Sequence, residues 1–142
     1  MRTIIFKAKR IDTGAWVTGF YVCLKDPMHK REKHFIYEGY AESECLDTDE
    51  EQWSPDKVEV DPATVCQYTG EEDNTGECIF EGDIVEFNYY RKKRKGYVSY
   101  GLFGFIVENN LDIRNNLLHA MVMYQHACVI GNIHDNPEMV VK

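Results

Sequence analysis

The sequence lacks the best-known signatures of catalysis. It has three serines, Ser43, Ser54 and Ser99, and none lies in a Gly-x-Ser-x-Gly nucleophile elbow. Neither the GxxxxGK(S/T) loop nor the GxGxxG loop occurs, so no phosphate-cradling loop is indicated. We therefore expect a protein that is not an enzyme, with no catalytic residue and no cofactor.

Cysteine usage and hydropathy exclude other classes. The five cysteines are an odd number, and none forms a Cys-x-x-Cys pair. The segment Met1–Arg10 alternates and is charged, which is typical of a strand rather than an export signal. No run approaches the roughly 18 apolar residues of a membrane span. We expect reduced thiols, a cytoplasmic location and no membrane contact.

Charge is unevenly distributed along the chain. The formal net charge is −8. Nine acidic residues and one base, Lys57, lie between Glu42 and Asp61, so the remainder is neutral overall. That remainder contains five consecutive cations, Arg91–Lys95, which we call the basic segment. The net charge is therefore a poor guide to partners.

Short apolar runs between turn residues predict a mostly β fold. Aromatic residues reach 13% of the chain, and they favour strands. Asp12-Thr13-Gly14 separates two such runs and predicts a hairpin with a left-handed glycine. The polar stretch Lys25–Lys33 contains Pro27 and predicts a loop. The acidic stretch 41–54 is consistent with an exposed helix or a loop, and Asp61-Pro62 predicts a short helical turn.

The C-terminal half shows the strand pattern most clearly. Ile84–Tyr90 predicts a strand, the basic segment with Gly96 a hairpin tip, and Tyr97–Tyr100 the returning strand. Two later apolar runs, 117–124 and 127–133, are interpreted as the remaining strands. We predict a β-barrel or sandwich with one or two short helices, folded as a single domain over residues 1–142.

Two long motifs resemble a known family. The segment Cys66–Val85, which contains Thr69-Gly70, Asp73-Asn74-Thr75-Gly76 and Glu81-Gly82-Asp83, resembles the signature of the YopX family of phage and prophage proteins. The segment Val129–Glu138 resembles that family's closing motif, and the opening hairpin with Trp16 is also similar.

The resemblance implies a fold and an origin but no activity. It implies an SH3-like barrel in the C-terminal half, so that an N-terminal hairpin and acidic segment (1–60) pack on a β-barrel portion (61–142). It implies a phage or prophage protein in the cytoplasm of a bacterial host. The family is one of uncharacterised function, so the resemblance supplies no catalytic or ligand residues.

The marked residues of the signature have a structural interpretation. Asp73–Gly76 serves as a turn in which Asp73 caps its own backbone. A divalent-metal site at Glu81, Asp83 and Glu86 is the alternative, but one sequence does not demonstrate converging oxygens. We favour the structural interpretation.

Histidine and cysteine near the C-terminus raise the question of zinc. His126 and Cys128 stand two apart on a predicted strand and would share a face, with His119 or His134 and another cysteine as further ligands. The short spacing of structural zinc sites is absent, so we assign no metal site.

The basic segment is the feature that most resembles a functional site. Five adjacent cations repel one another unless an anion relieves them, and flanking tyrosines could stack on bases. The candidate nucleic-acid-binding residues are Tyr90, Arg91, Lys92, Lys93, Arg94, Lys95 and Tyr97. The alternative is a solvated loop, which we rank above nucleic-acid contact.

The acidic stretch supports an opposite hypothesis. Its carboxylates could mimic a phosphate backbone and inhibit a host protein, or they could form a solvated loop, which we favour. In sum, we expect a non-enzymatic accessory binding module. A protein partner, either a host protein or a second copy in a homo-oligomer, ranks above nucleic acid.

Overall fold

The computed structural model describes residues 3–38, 57–111 and 116–140. The chain divides into two compact units, residues 1–67 and residues 68–142. The whole acidic stretch 41–54 lies outside the described residues. The prediction of one domain over residues 1–142 stays a prediction.

The first unit is an antiparallel sheet built from consecutive hairpins. Its strands are β1 (Phe6–Lys9), β2 (Trp16–Asp26), β3 (Arg31–Tyr37) and β4 (Lys57–Glu59). They lie in the order β4-β3-β2-β1, and the first residues of β5 (Cys66–Glu72) pair with β1. The inward positions of these strands, together with Val60 just after β4, form a core of Ala8, Val17, Ile36, Val58 and Val60.

Local turn chemistry confirms the predicted β1–β2 hairpin, and strand pairing shortens the loop predicted after β2. Gly14 adopts φ +74° in the β1–β2 turn, a conformation that glycine tolerates without steric cost. The loop predicted over Lys25–Lys33 is shorter in the structure, because β2 continues to Asp26 and pairs there with Arg31, which leaves residues 27–30 as the turn. Lys25 contacts Glu32 across the strands at 3.5 Å, so polar residues extend the ladder where both faces are exposed.

A single-turn 3-10 helix, Pro62–Thr64, follows β4 as predicted. The Asp61 side chain accepts a hydrogen bond from the Ala63 N–H at 3.0 Å. Proline at the first position supplies the fixed φ that helical residues need. The sequence therefore specified this element locally.

The second unit combines a β5–β6 strand pair, a four-stranded sheet and one helix. The remainder of β5 pairs with β6 (Cys78–Phe80). The strands β7 (Asp83–Tyr89), β8 (Lys92–Gly101), β9 (Gly104–Glu108) and β10 (Cys128–Asn132) form an antiparallel sheet in the order β10-β7-β8-β9. The helix α1 spans Leu118–Gln125, and a 3-10 turn spans Pro137–Met139.

The core of this unit lies between α1 and the four-stranded sheet. Sheet residues that include Val85, Phe87 and Val107 pack with Leu118 and Met121 of α1. The interpretation of 117–124 as a strand was therefore wrong. An apolar run of this length fits a strand or a buried helix, and the packing of every third or fourth residue against the sheet decides for the helix.

The observed structure confirms the predicted class. The described residues are mostly antiparallel strands, with one α-helix and two 3-10 turns. Closure into a barrel or sandwich stays a prediction. Within the described ranges, no helix is both long enough and apolar enough to cross a membrane.

Candidate functional site

Four of the five residues of the basic segment, Lys92–Lys95, lie on strand β8 rather than at a hairpin tip. Tyr90 and Arg91 form the turn between β7 and β8, with φ of +47° and +63°. Two left-handed residues match the twist of a tight hairpin. Lys92 then pairs with Tyr89 and Lys95 with Glu86, so the predicted tip at residues 91–96 was wrong.

The strand distributes the cations over two faces. Lys93 and Lys95 share a face with Glu86, whereas Lys92 and Arg94 share the opposite face with Phe87, because successive side chains alternate. All five cations of the basic segment are exposed. Within the described residues their one ion pair joins Lys93 Nζ to Glu86 Oε1 at 3.4 Å.

The edge of β8 is open beside these cations. β9 pairs with β8 only from Tyr97, opposite Glu108, to Gly101. No described strand pairs with Lys92–Gly96 on that side. A cleft of about 450 Å³ occupies this edge. Its lining residues, which include three cations, two asparagines and the acidic residue Glu108, are Lys93–Tyr97, Glu108–Leu111, Met139 and Val140.

Gly96 permits the close approach that shapes the cleft. A Cβ on Gly96 would lie 2.4 Å from the backbone oxygen of Glu108 and 2.6 Å from Val107 Cγ1. Such distances are shorter than van der Waals contact, so only glycine allows the end of β9 to approach β8 here.

The two candidate tyrosines occupy different positions. Tyr90 is 84% exposed in the turn, and its ring meets that of Tyr89 edge to face with centroids 4.6 Å apart. Tyr97 is half-buried and lines the cleft. The structure thus brings Lys93, Arg94, Lys95 and Tyr97 together in the cleft, while the turn residues lie outside its lining.

Sequence reasoning missed part of this site. Asn109 and Asn110 follow the end of β9, and Met139 belongs to the last 3-10 turn. Loop positions of this kind carry no periodic signal. Asn109 and Asn110 reach the cleft because β9 ends opposite Tyr97.

A second exposed surface lies at the β8–β9 turn. Leu102 is 96% exposed, Phe103 89% and Tyr100 68%, and we call these three residues the apolar tip. A cavity of about 190 Å³ is lined by Phe103, Phe105 and Leu117, among others. The predictions made from the sequence assigned no functional role to Leu102 or Phe103.

The signature motif has the structural role that we expected. Asp73 is only 6% exposed. Its Oδ1 accepts hydrogen bonds from the Thr75 N–H, the Thr75 hydroxyl and the Glu77 N–H, and its Oδ2 accepts one from the Val129 N–H. Burial tends to raise the pKa of Asp73, but these hydrogen bonds outweigh it and lower the pKa below its ordinary value.

The second signature turn and the closing motif have similar roles. Gly82, at φ +85°, donates its N–H to the Val98 oxygen and accepts from the Ile133 N–H. Asp83 is 2% exposed, and its Oδ2 accepts from the Phe80 N–H at 2.8 Å. Asn132 Oδ1 accepts from the His134 and Asp135 N–H groups, which closes the turn after β10.

The two metal sites considered from the sequence do not form. His126 ends α1 in a left-handed conformation (φ +54°), so it does not share a strand face with Cys128. Glu81, Asp83 and Glu86 do not converge either. Across residues 3–38, 57–111 and 116–140, the group of three or more metal-ligating side chains that does converge is Cys23, Glu32 and His34.

Comparisons with known proteins support the resemblance seen in the motifs. The family model described as YopX protein matches residues 6–140. The crystal structure of protein EF1440 from Enterococcus faecalis is similar to this structure, with a TM-score of 0.57 and 23% identity over 99% of this chain and 100% of that chain. At this identity the likeness concerns the fold alone. No curated protein matches the chain.

Proposed function

Because this chain belongs to the YopX family, we propose that it is a phage or prophage accessory protein that binds nucleic acid without catalysing a reaction. Its place of action would be the cytoplasm of the bacterial host. The observation that carries the proposal is the set of three adjacent cations, Lys93, Arg94 and Lys95, that lines the cleft beside the open edge of β8.

Phosphate groups suit the chemistry of this cleft. Exposed cations held next to one another on a strand repel, and a bound polyanion relieves that repulsion. Asn110 lines the same cleft, as does Asn109, whose amide already donates one hydrogen bond to the Val107 oxygen, and both offer further amide donors for phosphate and sugar oxygens. A single-stranded nucleic acid also exposes its bases, which Tyr90 and the half-buried Tyr97 could contact by stacking. These features raise nucleic acid above the rank that the sequence alone gave it.

The salt dependence of oligonucleotide binding tests this proposal. We expect the full chain to bind a short fluorescent single-stranded DNA, with affinity that falls as salt rises. The triple variant Lys93→Gln, Arg94→Gln, Lys95→Gln should bind about tenfold more weakly. It should also reduce the slope of log K against log salt by about 2, since each lost phosphate contact removes about 0.7 on single strands.

A matched variant controls for net charge. Lys25→Gln, Lys30→Gln, Lys33→Gln removes three exposed cations from the β2–β3 hairpin of the first unit. This control should bind the oligonucleotide as the unaltered chain does. Equal losses in both triple variants, or an unaltered chain that does not bind, would reject the proposal.

The apolar tip supports a second candidate function, self-association. Leu102 and Phe103 are almost fully exposed. Burying one such side chain is worth about 1.5–3 kcal/mol, and aromatic residues are enriched among those that dominate binding at interfaces. A second copy of this chain is the partner that this surface would contact. The third hypothesis, an acidic host-directed inhibitor, rests mainly on residues 42–56, which lie outside the described residues.

A further inference from the structure

A thiol, an imidazole and a carboxylate converge on one face of the β2–β3 hairpin. Cys23 lies directly opposite His34 in the antiparallel register, and Glu32 precedes His34 by two residues, so all three side chains share a face. Their ligand atoms all lie within 4.8 Å of one another. The pairing of β2 with β3 therefore places Cys23 beside Glu32 and His34.

The side chain of Tyr21 orients the imidazole ring of His34. The Tyr21 hydroxyl lies 2.5 Å from His34 Nδ1, and the two rings stack with centroids 5.8 Å apart and an interplanar angle of 7°. When Nδ1–H donates to the Tyr21 oxygen, Nε2 keeps a lone pair. That nitrogen lies 3.8 Å from Glu32 Oε2. Metal-binding histidines commonly have such a partner on the second nitrogen, which fixes both the ring and its tautomer.

The surroundings are rigid on one side and open on the other. Tyr21 packs against the core of the first unit and contacts Phe6 at 5.6 Å between centroids. The His34 side chain is 16% exposed, whereas that of Glu32 is 52% exposed. Lys25 contacts the other Glu32 oxygen at 3.5 Å and is the one competing cation at this carboxylate within the described residues. An ion could therefore enter from the Glu32 side.

We propose that Cys23, Glu32 and His34 form a Zn²⁺ site, with water as the fourth ligand. Thiolate, imidazole and carboxylate are the ligands that zinc takes in tetrahedral sites, and three protein ligands leave one position open. The thiolate and carboxylate balance the charge of the ion, and the thiol proton is released to solvent on binding. The site is independent of the cleft, and it revises our sequence-based assignment of no metal.

Cobalt binding to the reduced full chain tests the site directly. Co²⁺ bound by a thiolate gives a sulfur-to-metal charge-transfer band, and zinc should abolish this band by displacing the cobalt. We expect one equivalent to bind, the band to disappear in Cys23→Ser, and affinity to fall at least about tenfold in His34→Gln. Tyr21→Phe removes the partner of Nδ1, and we expect it to weaken binding by about 10- to 100-fold.

Two further sets of variants keep the proposal falsifiable. Cys78→Ser and Cys128→Ser remove thiols of the second unit and should leave the band unchanged. Glu32→Gln alters a half-exposed side chain, so it should fold, keep the band and bind at least about tenfold more weakly. A missing band in the unaltered chain, a band that survives in Cys23→Ser, or unchanged affinity in Glu32→Gln would each overturn the three-ligand site.

Discussion

The carboxylate of Asp73 accepts a hydrogen bond from the backbone N–H of Val129 at 2.9 Å. Its other oxygen organises the Asp73–Gly76 turn through Thr75 and Glu77. One buried side chain therefore joins a local turn to the start of β10, 56 residues later. This double contact explains in physical terms why an aspartate stands in the signature motif.

Replacing this carboxylate should destabilise the second unit. In Asp73→Asn the side chain keeps one oxygen, so it cannot accept all four hydrogen bonds, and buried N–H groups lose their partner. Hydrogen bonds to charged groups contribute about 1.5–3 kcal/mol, and we expect a loss of that order in the free energy of unfolding. Urea denaturation at neutral pH measures it. Thr75→Val removes only the hydroxyl contact and should cost less.

The same residue predicts a pH dependence of stability. Because its hydrogen bonds lower the pKa of Asp73 in the folded state, the charged carboxylate favours folding. The contribution is complete above the unfolded pKa of about 3.9 and is lost as pH falls through the lower folded pKa. The stability difference between the unaltered chain and Asp73→Asn should therefore shrink below about pH 4. A constant difference down to acid pH would contradict this assignment.

Gly96 should tolerate no side chain. The Cβ of Gly96→Ala would lie 2.4 Å from the Glu108 backbone oxygen, so β9 must shift. Overpacking of this kind costs about 1–3 kcal/mol, and thermal unfolding should show it. Gly101→Ala in the same strand is the control, since its Cβ would meet the flexible end of Ile106 at 3.1 Å. Equal losses in both variants would contradict the role given to Gly96.

The elements that the sequence predicted correctly are those set by local chemistry. The β1–β2 hairpin depends on Gly14, and the 3-10 turn depends on the Asp61 cap and Pro62. Both signals lie within a few residues of the structure they specify. The antiparallel strands around them follow from alternating burial, which is also readable from sequence.

The elements that the sequence predicted incorrectly depend on distant contacts. The β7–β8 turn places Tyr90 and Arg91 at positive φ without glycine, asparagine or aspartate, so no turn residue marks it. The pairing of Lys92–Lys95 with β7 extends the hairpin through a run of charge. Helix α1 likewise depends on packing against the sheet, and the cleft depends on where β9 ends.

The ion pair within the basic segment should limit nucleic-acid affinity. Glu86 Oε1 lies 3.4 Å from Lys93 Nζ and pairs with it, so Glu86→Gln frees that cation for phosphate. Exposed ion pairs contribute about 0.2–1 kcal/mol, so we expect oligonucleotide binding to tighten up to about fivefold. Fluorescence anisotropy at low salt measures this. Glu72→Gln removes the same charge from an exposed carboxylate on β5 and should leave affinity nearly unchanged. A matching gain there would indicate only a net-charge effect.

Self-association through the apolar tip should differ from self-association through charged residues in its dependence on salt. Leu102 and Phe103 are exposed, so Leu102→Ser with Phe103→Ser should change folding stability by no more than about 0.5 kcal/mol for each substitution. If these side chains are buried between two copies, the double variant should shift sedimentation equilibrium toward monomer. Apolar burial does not weaken with added salt, so the association should persist at high ionic strength, where contacts between exposed charges are screened. Met28→Ser, at an 87% exposed position in the first unit, serves as the control. A chain that stays monomeric at all concentrations, or one whose association disappears in salt, would show that this tip does not join copies of the protein.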